Sequence, residues 1–274
     1  MAELTQIDLD SILRSRLPRK VSRILPRLLT RSMESIICQK RLNEILRTAF
    51  PNEGSAFSNS VIEQLGLKIK VEGIENIPLD RPVTFASNHP LGGLDGITLI
   101  KVLGDIFGDS NVKFIVNDML MHVTPLRNVF LPVNKFGAQA RESARLINEA
   151  YASDARILIF PAGLVSRMGA DGSIADLEWQ KTFVTKAIEY GRDIVPVKFE
   201  GHNRTRFYRL ARLRKRIGLK VNLEQIMLPS ELCHSEGKEF LIKFGAPVTA
   251  SSLAASGKKP EILAAELRKI TYSL

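Results

Sequence analysis

The stretch that decides the fold reads Val83-Thr84-Phe85-Ala86-Ser87-Asn88-His89-Pro90-Leu91-Gly92-Gly93-Leu94-Asp95-Gly96. It begins as a short strand-like run, bends through a loop with two adjacent glycines, and continues into a helical pattern. In open α/β sheets, ligands bind beyond the carboxyl ends of the strands, which is where His89 falls. Asp95 falls near the start of the helix, where a carboxylate is favoured as a cap or by the helix dipole.

Short apolar runs alternate with helical patterns from about residue 61 onward. The predicted strands cover residues 68–72, 83–87, 112–117, 129–133, 156–160, 194–200 and 240–244. The predicted helices cover residues 95–103, 138–152, 177–190, 207–217 and 260–273. Strands that alternate with helices of this length predict an α/β layered domain.

Residues 58–274 are therefore interpreted as one domain, preceded by a basic helical extension over residues 1–57. In residues 9–31, apolar and basic side chains recur at helical spacing on adjacent faces, and two prolines are expected to divide this segment into short helices. Another helical pattern covers residues 32–50. Two interpretations stay open, a helical cap packed on the domain or an interfacial helix lying on anionic lipid.

The net charge of +10 over 274 residues is concentrated in two segments. Residues 11–33 carry seven basic side chains and residues 201–223 carry eight, with no acidic side chain in either segment. The remaining 24 basic residues face 29 acidic residues, so the rest of the chain is mildly acidic. Two such patches predict an anionic partner. Nucleic acid ranks last, because no helix-turn-helix, aromatic RNA platform or finger pattern accompanies the charge.

Composition and motifs argue against several classes of protein. The two cysteines, Cys38 and Cys233, form no CxxC pair, which argues against a disulfide framework and indicates a reducing compartment. The histidines outside the deciding stretch lack metal-ligand spacing, and no P-loop or Gly-x-Gly-x-x-Gly motif indicates a nucleotide cofactor. The acidic N-terminus is unlike a secretory signal, and no apolar run approaches the ~20 residues of a membrane-spanning helix.

The pair of His89 and Asp95 is suited to general-base chemistry. A carboxylate beside a histidine fixes the ring tautomer and stabilises the imidazolium, so the other ring nitrogen can accept a proton from an alcohol. From the pair alone, a structural interpretation stays open, because Asp95 can cap a helix and His89 can be a hydrogen-bonded loop residue. The position at a strand end favours a functional site.

The deciding stretch resembles the first motif of the glycerolipid acyltransferases, a family that includes 1-acylglycerol-3-phosphate acyltransferase. That motif is Asn-His, four residues and an Asp; here five residues separate His89 from Asp95, and the glycine pair can absorb the additional one. Three later segments match further motifs in order: Val129-Phe130-Leu131-Pro132-Val133-Asn134-Lys135, Phe160-Pro161-Ala162-Gly163-Leu164-Val165-Ser166-Arg167 and Ile194-Val195-Pro196-Val197. The resemblance implies a mixed, largely parallel sheet flanked by helices, with His89 as the catalytic base and Asp95 as its catalytic partner.

The departures from the family pattern concern the groups that bind phosphate. A glutamate in the third motif and arginines in the second and third motifs help family members to bind a glycerol-phosphate acceptor. Here Ala162, Val165 and Asn134 stand at those positions, while Lys135 and Arg167 lie nearby as alternative ligands. Because arginine binds phosphate through a fixed fork of donors, these changes favour an acceptor without a phosphate monoester.

The Asn-His-Pro-Leu-Gly-Gly-Leu-Asp-Gly version of the motif is similar to that of a bacterial branch, the O-acyltransferases of ornithine- and glycine-type aminolipids. This similarity implies transfer of a fatty acyl group from a thioester to the hydroxyl of a lysolipid, such as an N-(3-hydroxyacyl) amino acid. Two alternatives stay open: a 1-acylglycerol-3-phosphate acyltransferase that makes phosphatidic acid, and a non-catalytic lipid-binding protein on the same fold. The expected donor is an acyl carrier protein or coenzyme A thioester, with no further cofactor and no metal.

Substrate contacts are expected from the first three motifs. The candidate residues are Asn88, Gly92, Gly93, Lys135, Pro161, Ala162, Gly163 and Arg167. Backbone amides in the two glycine-containing loops are the candidates for binding the developing oxyanion. The basic patches predict a peripheral protein at the cytoplasmic face of the inner membrane, held by an anionic membrane surface and without a nucleic-acid partner.

Overall fold

In the computed structural model of the protein, residues 38–133, 137–216, 218 and 223–274 are described. The strands of the main sheet are β1 Lys68–Glu72, β2 Val83–Ser87, β3 Val112–Asn117, β4 Phe130–Val133, β5 Arg156–Ile159, β8 Asp193–Phe199 and β9 Glu239–Phe244; a short hairpin contains β6 Arg167–Met168 and β7 Ile174–Ala175. The main sheet has the order β1-β9-β8-β2-β5-β3-β4. Neighbouring strands are parallel except β8 and β9, so the predicted mixed, largely parallel sheet is confirmed.

Helices pack on both faces of this sheet. They are α1 Gln39–Ala49, α2 Gly54–Gln64, α3 Gly93–Phe107, α4 Gly137–Ala152, α5 Thr182–Glu189, α6 Thr205–Arg216, α7 Leu228–Cys233, α8 Ala250–Ala255 and α9 Pro260–Ser273. On one face, Phe85 of β2 joins an apolar cluster that includes Leu99 of α3. The next residue, Ala86, points to the other face and joins a cluster with Phe183 of α5 and Leu263 of α9. The predicted α/β layering is therefore confirmed.

The predicted strands match the observed ones to within one residue at each end. The helix predicted over residues 177–190 is wrong at its N-terminal end, because α5 begins only at Thr182. In the preceding segment, the N–H of Gln180 donates to the carbonyl of Pro161 at 3.0 Å. The indole N–H of Trp179 donates to Asp176 at 2.9 Å. These contacts replace the hydrogen bonds that the first helical turn would have made.

The central strand β2 places the deciding loop. All five of its residues are buried, as expected for a parallel strand covered on both faces. Asn88 continues its pairing with β8: the side-chain amide donates to the carbonyl of Phe199 at 2.9 Å and accepts the N–H of Phe199 at 2.7 Å. Since parallel strands end at the same edge of a sheet, the loops that follow β2 and β5 meet there.

The described part of the N-terminal extension packs on the larger domain. Leu42 and Ile45 of α1 and Phe57 of α2 belong to the same apolar cluster as Phe85. This packing favours the helical-cap interpretation for the described part, whereas residues 1–37, with the first basic segment, lie outside the described residues. The predicted boundary after residue 57 falls inside α2, and the division into two domains stays a prediction. Among the described residues, no helix combines the length and apolarity needed to cross a bilayer.

A buried arginine joins the end of α4 to the start of β8. Arg192 is 1% exposed. Its guanidinium donates to the carbonyl oxygens of Tyr151 at 2.8 Å, Ala155 at 2.6 Å and Ala150 at 3.1 Å, and also to that of Ser153. The last carbonyl groups of a helix lack partners within the helix and carry its partial negative charge. Arg192 therefore supplies both the missing donors and a matching positive charge.

Candidate active site

His89 and Asp95 are in contact at the carboxyl end of β2. Nδ1 of His89 lies 3.1 Å from Oδ2 of Asp95, so the expected contact is present despite the additional residue between them. The side chain of His89 is 17% exposed, whereas that of Asp95 is fully buried. Because an ionised carboxylate only accepts hydrogen bonds, we assign the proton of this contact to Nδ1. Nε2 is then the ring nitrogen that can accept a proton.

A tight turn at Gly92 makes this contact fit. Gly92 has φ 84° and ψ −109°, a conformation that favours glycine. A Cβ atom there would come within 3.1 Å of the Leu228 side chain. The turn lets Oδ2 of Asp95 accept the N–H groups of Leu91 at 3.0 Å and Gly92 at 3.2 Å in addition to its contact with His89. Asp95 therefore both caps the start of α3 and orients the imidazole.

Other elements hold the ring and the main chain of His89. Phe160, which follows β5, stacks on the imidazole with ring centroids 4.0 Å apart and an interplanar angle of 24°. The N–H of His89 donates to Oδ1 of Asp176 at 3.1 Å. The carbonyl of His89 accepts the N–H of Ser166 at 2.8 Å. The ring is thus held by Asp95 and Phe160, and the main chain of His89 is held by Asp176 and Ser166.

The surroundings of His89 leave its pKa above the ordinary value of 6.5. Burial by itself lowers the pKa, because the charged ring loses its hydration. The charge and hydrogen bond of Asp95 raise it, the charge of Asp176 also raises it, and the charge of Arg167 lowers it. The neutral ring, which is the basic form, therefore dominates only at a pH above this raised pKa. The same carboxylates stabilise the imidazolium that forms when the ring accepts a proton.

Three of the predicted substrate residues have structural contacts instead of free polar groups. Both amide atoms of Asn88 are bonded to Phe199. The carbonyl of Pro161 accepts a backbone N–H from the segment before α5, and Ala162 packs on the apolar cluster of α5 and α9. These residues position the loops, and direct substrate contact by them stays a prediction. Lys135 lies outside the described residues.

The backbone N–H groups predicted to bind the oxyanion differ in whether they already have an acceptor within the protein. The N–H of Gly92 donates to Asp95 at 3.2 Å, and the N–H of Gly163 donates to the carbonyl of Phe160 at 2.9 Å. Gly93 is exposed and begins α3, and the first N–H groups of a helix have no partner within the helix. The amide of Gly93 is therefore better suited to a ligand than those of Gly92 and Gly163.

Comparison with known proteins extends the interpretation beyond this geometry. A family model described as Acyltransferase matches residues 12–274. The chain belongs to the acyltransferase family. Two curated relatives, the lyso-glycine lipid O-acyltransferases of Phocaeicola vulgatus and Bacteroides thetaiotaomicron, are each 38% identical over 268 residues. These matches cover 98% of this chain and 95% and 97% of the two relatives.

The family match and the relatives confirm the prediction that this protein is an acyltransferase, and a non-catalytic lipid-binding protein is not favoured. A solved structure is also similar, the 1-acyl-sn-glycerophosphate (LPA) acyltransferase PlsC from Thermotoga maritima. It has 18% sequence identity and a TM-score of 0.49, and the match covers 95% of this chain and 83% of that one.

In this acyltransferase, Arg167 is engaged within the protein. Its guanidinium donates to Glu224 at 2.9 Å and to the carbonyl of Val165 at 3.0 Å. Nε of Arg214, on α6, lies 2.9 Å from the second carboxylate oxygen of Glu224, whose side chain is fully buried. Two guanidinium groups and one carboxylate leave one net positive charge in this group. Arg167 therefore does not offer an isolated fork for a phosphate monoester.

Two carboxylates of the candidate site, Asp176 and Glu224, were not identified from the sequence. Glu224 gives a signal, since it is the first acidic residue after the acid-free basic segment of residues 201–223. Asp176 gives a weaker one, because it lies three residues before Trp179, whose indole N–H needs an acceptor when buried. Neither signal identifies the partner, because His89 lies 87 residues from Asp176 along the chain.

Proposed function

We propose that this acyltransferase transfers a fatty acyl group from an acyl thioester to the hydroxyl of a lysolipid, with an N-(3-hydroxyacyl) glycine as the acceptor. The main support for this acceptor is the 38% identity, over 98% of the chain, to two lyso-glycine lipid O-acyltransferases. Val165 also supports this acceptor. It stands where the glycerolipid acyltransferases have a phosphate-binding arginine, and it is 3% exposed within an apolar cluster. An apolar side chain there offers no donor to a phosphate group.

His89 is the proposed general base in a direct transfer without a covalent acyl-enzyme. Nε2 takes the proton of the acceptor hydroxyl as that oxygen attacks the thioester carbonyl carbon. Collapse of the tetrahedral intermediate breaks the carbon–sulfur bond, and the thiolate takes the proton from the imidazolium. The products are an ester and a free thiol. Asp95, 3.1 Å from Nδ1, holds the reactive tautomer and stabilises the imidazolium.

The developing oxyanion is proposed to lie at the N-terminus of α3. The N–H of Gly93, in the first turn, points out of the helix ladder, and the helix dipole favours negative charge there. Apart from its chain neighbours and the nearby backbone of α3, no heavy atom lies within 4 Å of the position that a Cβ atom of Gly93 would occupy, so the space beside this residue is open. Preorganised backbone donors of this kind stabilise the charge that develops in acyl transfer.

The group of Arg167, Glu224 and Arg214 suits an acceptor with a single negative charge. Its one net positive charge lies near His89, since the charge of Arg167 acts on that imidazole and lowers its pKa. An N-acylated glycine carries one carboxylate, whereas a phosphate monoester carries about −1.5 to −2 charge at neutral pH. The charge match therefore supports the carboxylate-bearing acceptor.

A direct comparison of acceptors tests this proposal. The purified protein is assayed with an N-(3-hydroxyacyl) glycine and with a 1-acylglycerol-3-phosphate of equal chain length, each with an acyl carrier protein thioester and with the matching coenzyme A thioester. We expect kcat/KM to be at least about 10-fold higher for the glycine acceptor, whose carboxylate and hydroxyl both match the site. An N-acyl glycine without the hydroxyl is the control and should give no ester. Preference for the phosphate acceptor would contradict the proposal.

We also propose that α6 contacts an anionic membrane surface and holds the protein peripherally at the cytoplasmic face of the inner membrane. One side of α6 buries Phe207 and Tyr208 against the domain. The exposed side carries Arg206, Arg209, Arg212, Leu213, Lys215 and Arg216. Each basic side chain near anionic lipid contributes ~1 kcal/mol to binding, and Leu213, which is 55% exposed, adds an apolar side chain to this surface.

Charge reversal on α6 is expected to release the protein from anionic membranes. Changing Arg209, Lys215 and Arg216 to glutamate should weaken vesicle binding at least about 100-fold, because each basic residue near the surface contributes ~1 kcal/mol. Cosedimentation with vesicles containing anionic phospholipid measures the change, and phosphatidylcholine vesicles give the baseline. The control reverses three exposed lysines elsewhere, Lys68, Lys238 and Lys259. Equal losses in the two triple variants would contradict a specific role of α6.

A further inference from the structure

The carboxylate of Asp176 joins three parts of the chain around His89. Asp176 directly follows β7 and is 4% exposed. Its Oδ1 accepts the backbone N–H of His89 at 3.1 Å and the hydroxyl of Ser166 at 2.6 Å. Its Oδ2 accepts the indole N–H of Trp179 at 2.9 Å. Since Ser166 also donates its N–H to the carbonyl of His89 at 2.8 Å, these contacts form a closed ring of hydrogen bonds.

The C-terminal helix α9 fixes the position of this carboxylate. The N–H of Asp176 donates to the hydroxyl of Tyr272 at 2.7 Å. The carbonyl of Asp176 accepts a hydrogen bond from Arg268 at 2.6 Å. Both backbone groups of Asp176 are therefore tied to α9, which packs beside β8 and α5. The main chain of His89 is thus held, through one side chain, by a helix that is distant in sequence.

We propose that Asp176 is a positioning residue for acyl transfer, which holds the main chain of His89 so that the imidazole keeps its contact with Asp95. The inference rests on the proposed role of His89 as the base. Beyond the end of β2, the polar backbone groups of His89 need partners outside the strand ladder. Asp176 supplies one partner directly, and it holds Ser166, which supplies the other.

Three charged side chains act on the imidazole from different elements. Asp95 approaches from α3, Asp176 from the segment after β7, and Arg167 from β6. The two carboxylates raise the pKa of His89 and Arg167 lowers it, while burial lowers it further. Removing the charge of Asp176 therefore shifts the basic form of His89 to lower pH. A residue with a purely structural role, remote from the imidazole, would not cause this shift.

The test compares two variants, Asp176→Asn and Asp176→Asn combined with Trp179→Phe. In the single variant, one oxygen remains for the donors of His89 and Ser166, but the new NH₂ group opposes the indole N–H of Trp179. The double variant removes that surplus donor. We expect kcat of the single variant to fall about 10- to 100-fold because of misplacement of the base. In the double variant kcat should recover partly.

The pH profile separates positioning from general damage. In both variants, the rising limb of kcat/KM against pH should move to lower pH, because one negative charge facing His89 is lost. The matched control is Asp193→Asn. The carboxylate of Asp193 accepts the N–H of Ala250 at 3.0 Å and lies at the start of β8, at the edge of the sheet opposite to His89. That variant should keep the wild-type limb and kcat, even where its thermal unfolding midpoint falls.

Three outcomes would overturn the inference. The first is a folded Asp176→Asn variant whose kcat and pH profile are those of the wild type. The second is a shift of the pH profile in Asp193→Asn that equals the shift in Asp176→Asn. If the Asp176 variants do not fold, Ser166→Ala offers a milder test, because it removes only the hydroxyl donor to Asp176. We expect its kcat to fall roughly 3- to 10-fold while the rising limb of the pH profile stays unchanged. An unchanged kcat in the Ser166→Ala variant is the third overturning outcome. Failure of the proposed function is distinguishable, because it would show as acyl transfer that does not depend on His89.

Discussion

Replacement of His89 by alanine is expected to lower kcat/KM for acyl transfer by about 10³- to 10⁴-fold, the upper part of the range for general acid–base catalysis. The loss is expected because Nε2 is the proposed acceptor of the hydroxyl proton, while Nδ1 is held 3.1 Å from Asp95. Steady-state kinetics with saturating thioester and varied acceptor measures the effect. Circular dichroism and thermal unfolding establish that the variant is folded.

The matched control for this experiment is His234→Ala. The ring of His234 lies at the end of α7, and its Nδ1 is 2.7 Å from the carbonyl of Ser230. Removal of that ring is expected to leave kcat/KM within about 2-fold of the wild type, as the ring has no contact with the proposed reacting groups. Near wild-type turnover by the His89 variant would contradict the proposed mechanism, whatever the acceptor.

Replacement of Arg192 by methionine is expected to have the largest effect on stability among the variants considered. Methionine keeps much of the side-chain volume but removes the donors to four carbonyl groups, two in the last turn of α4 and two in the segment between α4 and β5. A buried acceptor left without a partner costs ~1–3 kcal/mol. The loss is smaller than four such contributions, because the carbonyl of Ala150 keeps the N–H and hydroxyl of Ser153, and Ser153 itself is exposed to water. We expect the free energy of unfolding to fall by about 4 kcal/mol. In a protein of this size, that corresponds to a decrease of ~8–16 °C in Tm.

Urea unfolding followed by circular dichroism measures the effect of the Arg192 change. The control is Arg145→Met on the same helix, since that guanidinium also makes several charged contacts but is 55% exposed. The unfolding midpoint of the control should stay close to that of the wild type, because exposed ion pairs contribute little. Similar midpoints for the two variants would contradict the capping role of Arg192.

Much of the fold follows from local sequence patterns. The strands of the main sheet were predicted to within one residue, because the central strand β2 is buried throughout, whereas β1 and β9 alternate between more and less buried positions. The helix over residues 177–190 was predicted too long, since Gln180 and Trp179 donate hydrogen bonds to Pro161 and Asp176 in place of helical ones. The hairpin of β6 and β7 was missed, because two-residue strands carry no detectable periodicity.

The sequence by itself predicted that His89 lies at the carboxyl end of a strand and that Asp95, near the start of the next helix, is its partner. Both predictions follow from short-range rules of strand, turn and helix geometry. The additional residue between them left their direct contact open, and the structure places the two side chains 3.1 Å apart. Only the tertiary structure decided what surrounds this pair. Asp176 meets His89 from 87 residues away, and Glu224 meets Arg167 from 57 residues away. Such pairings depend on how strands and helices pack, and a buried carboxylate must find donors wherever the packing places them.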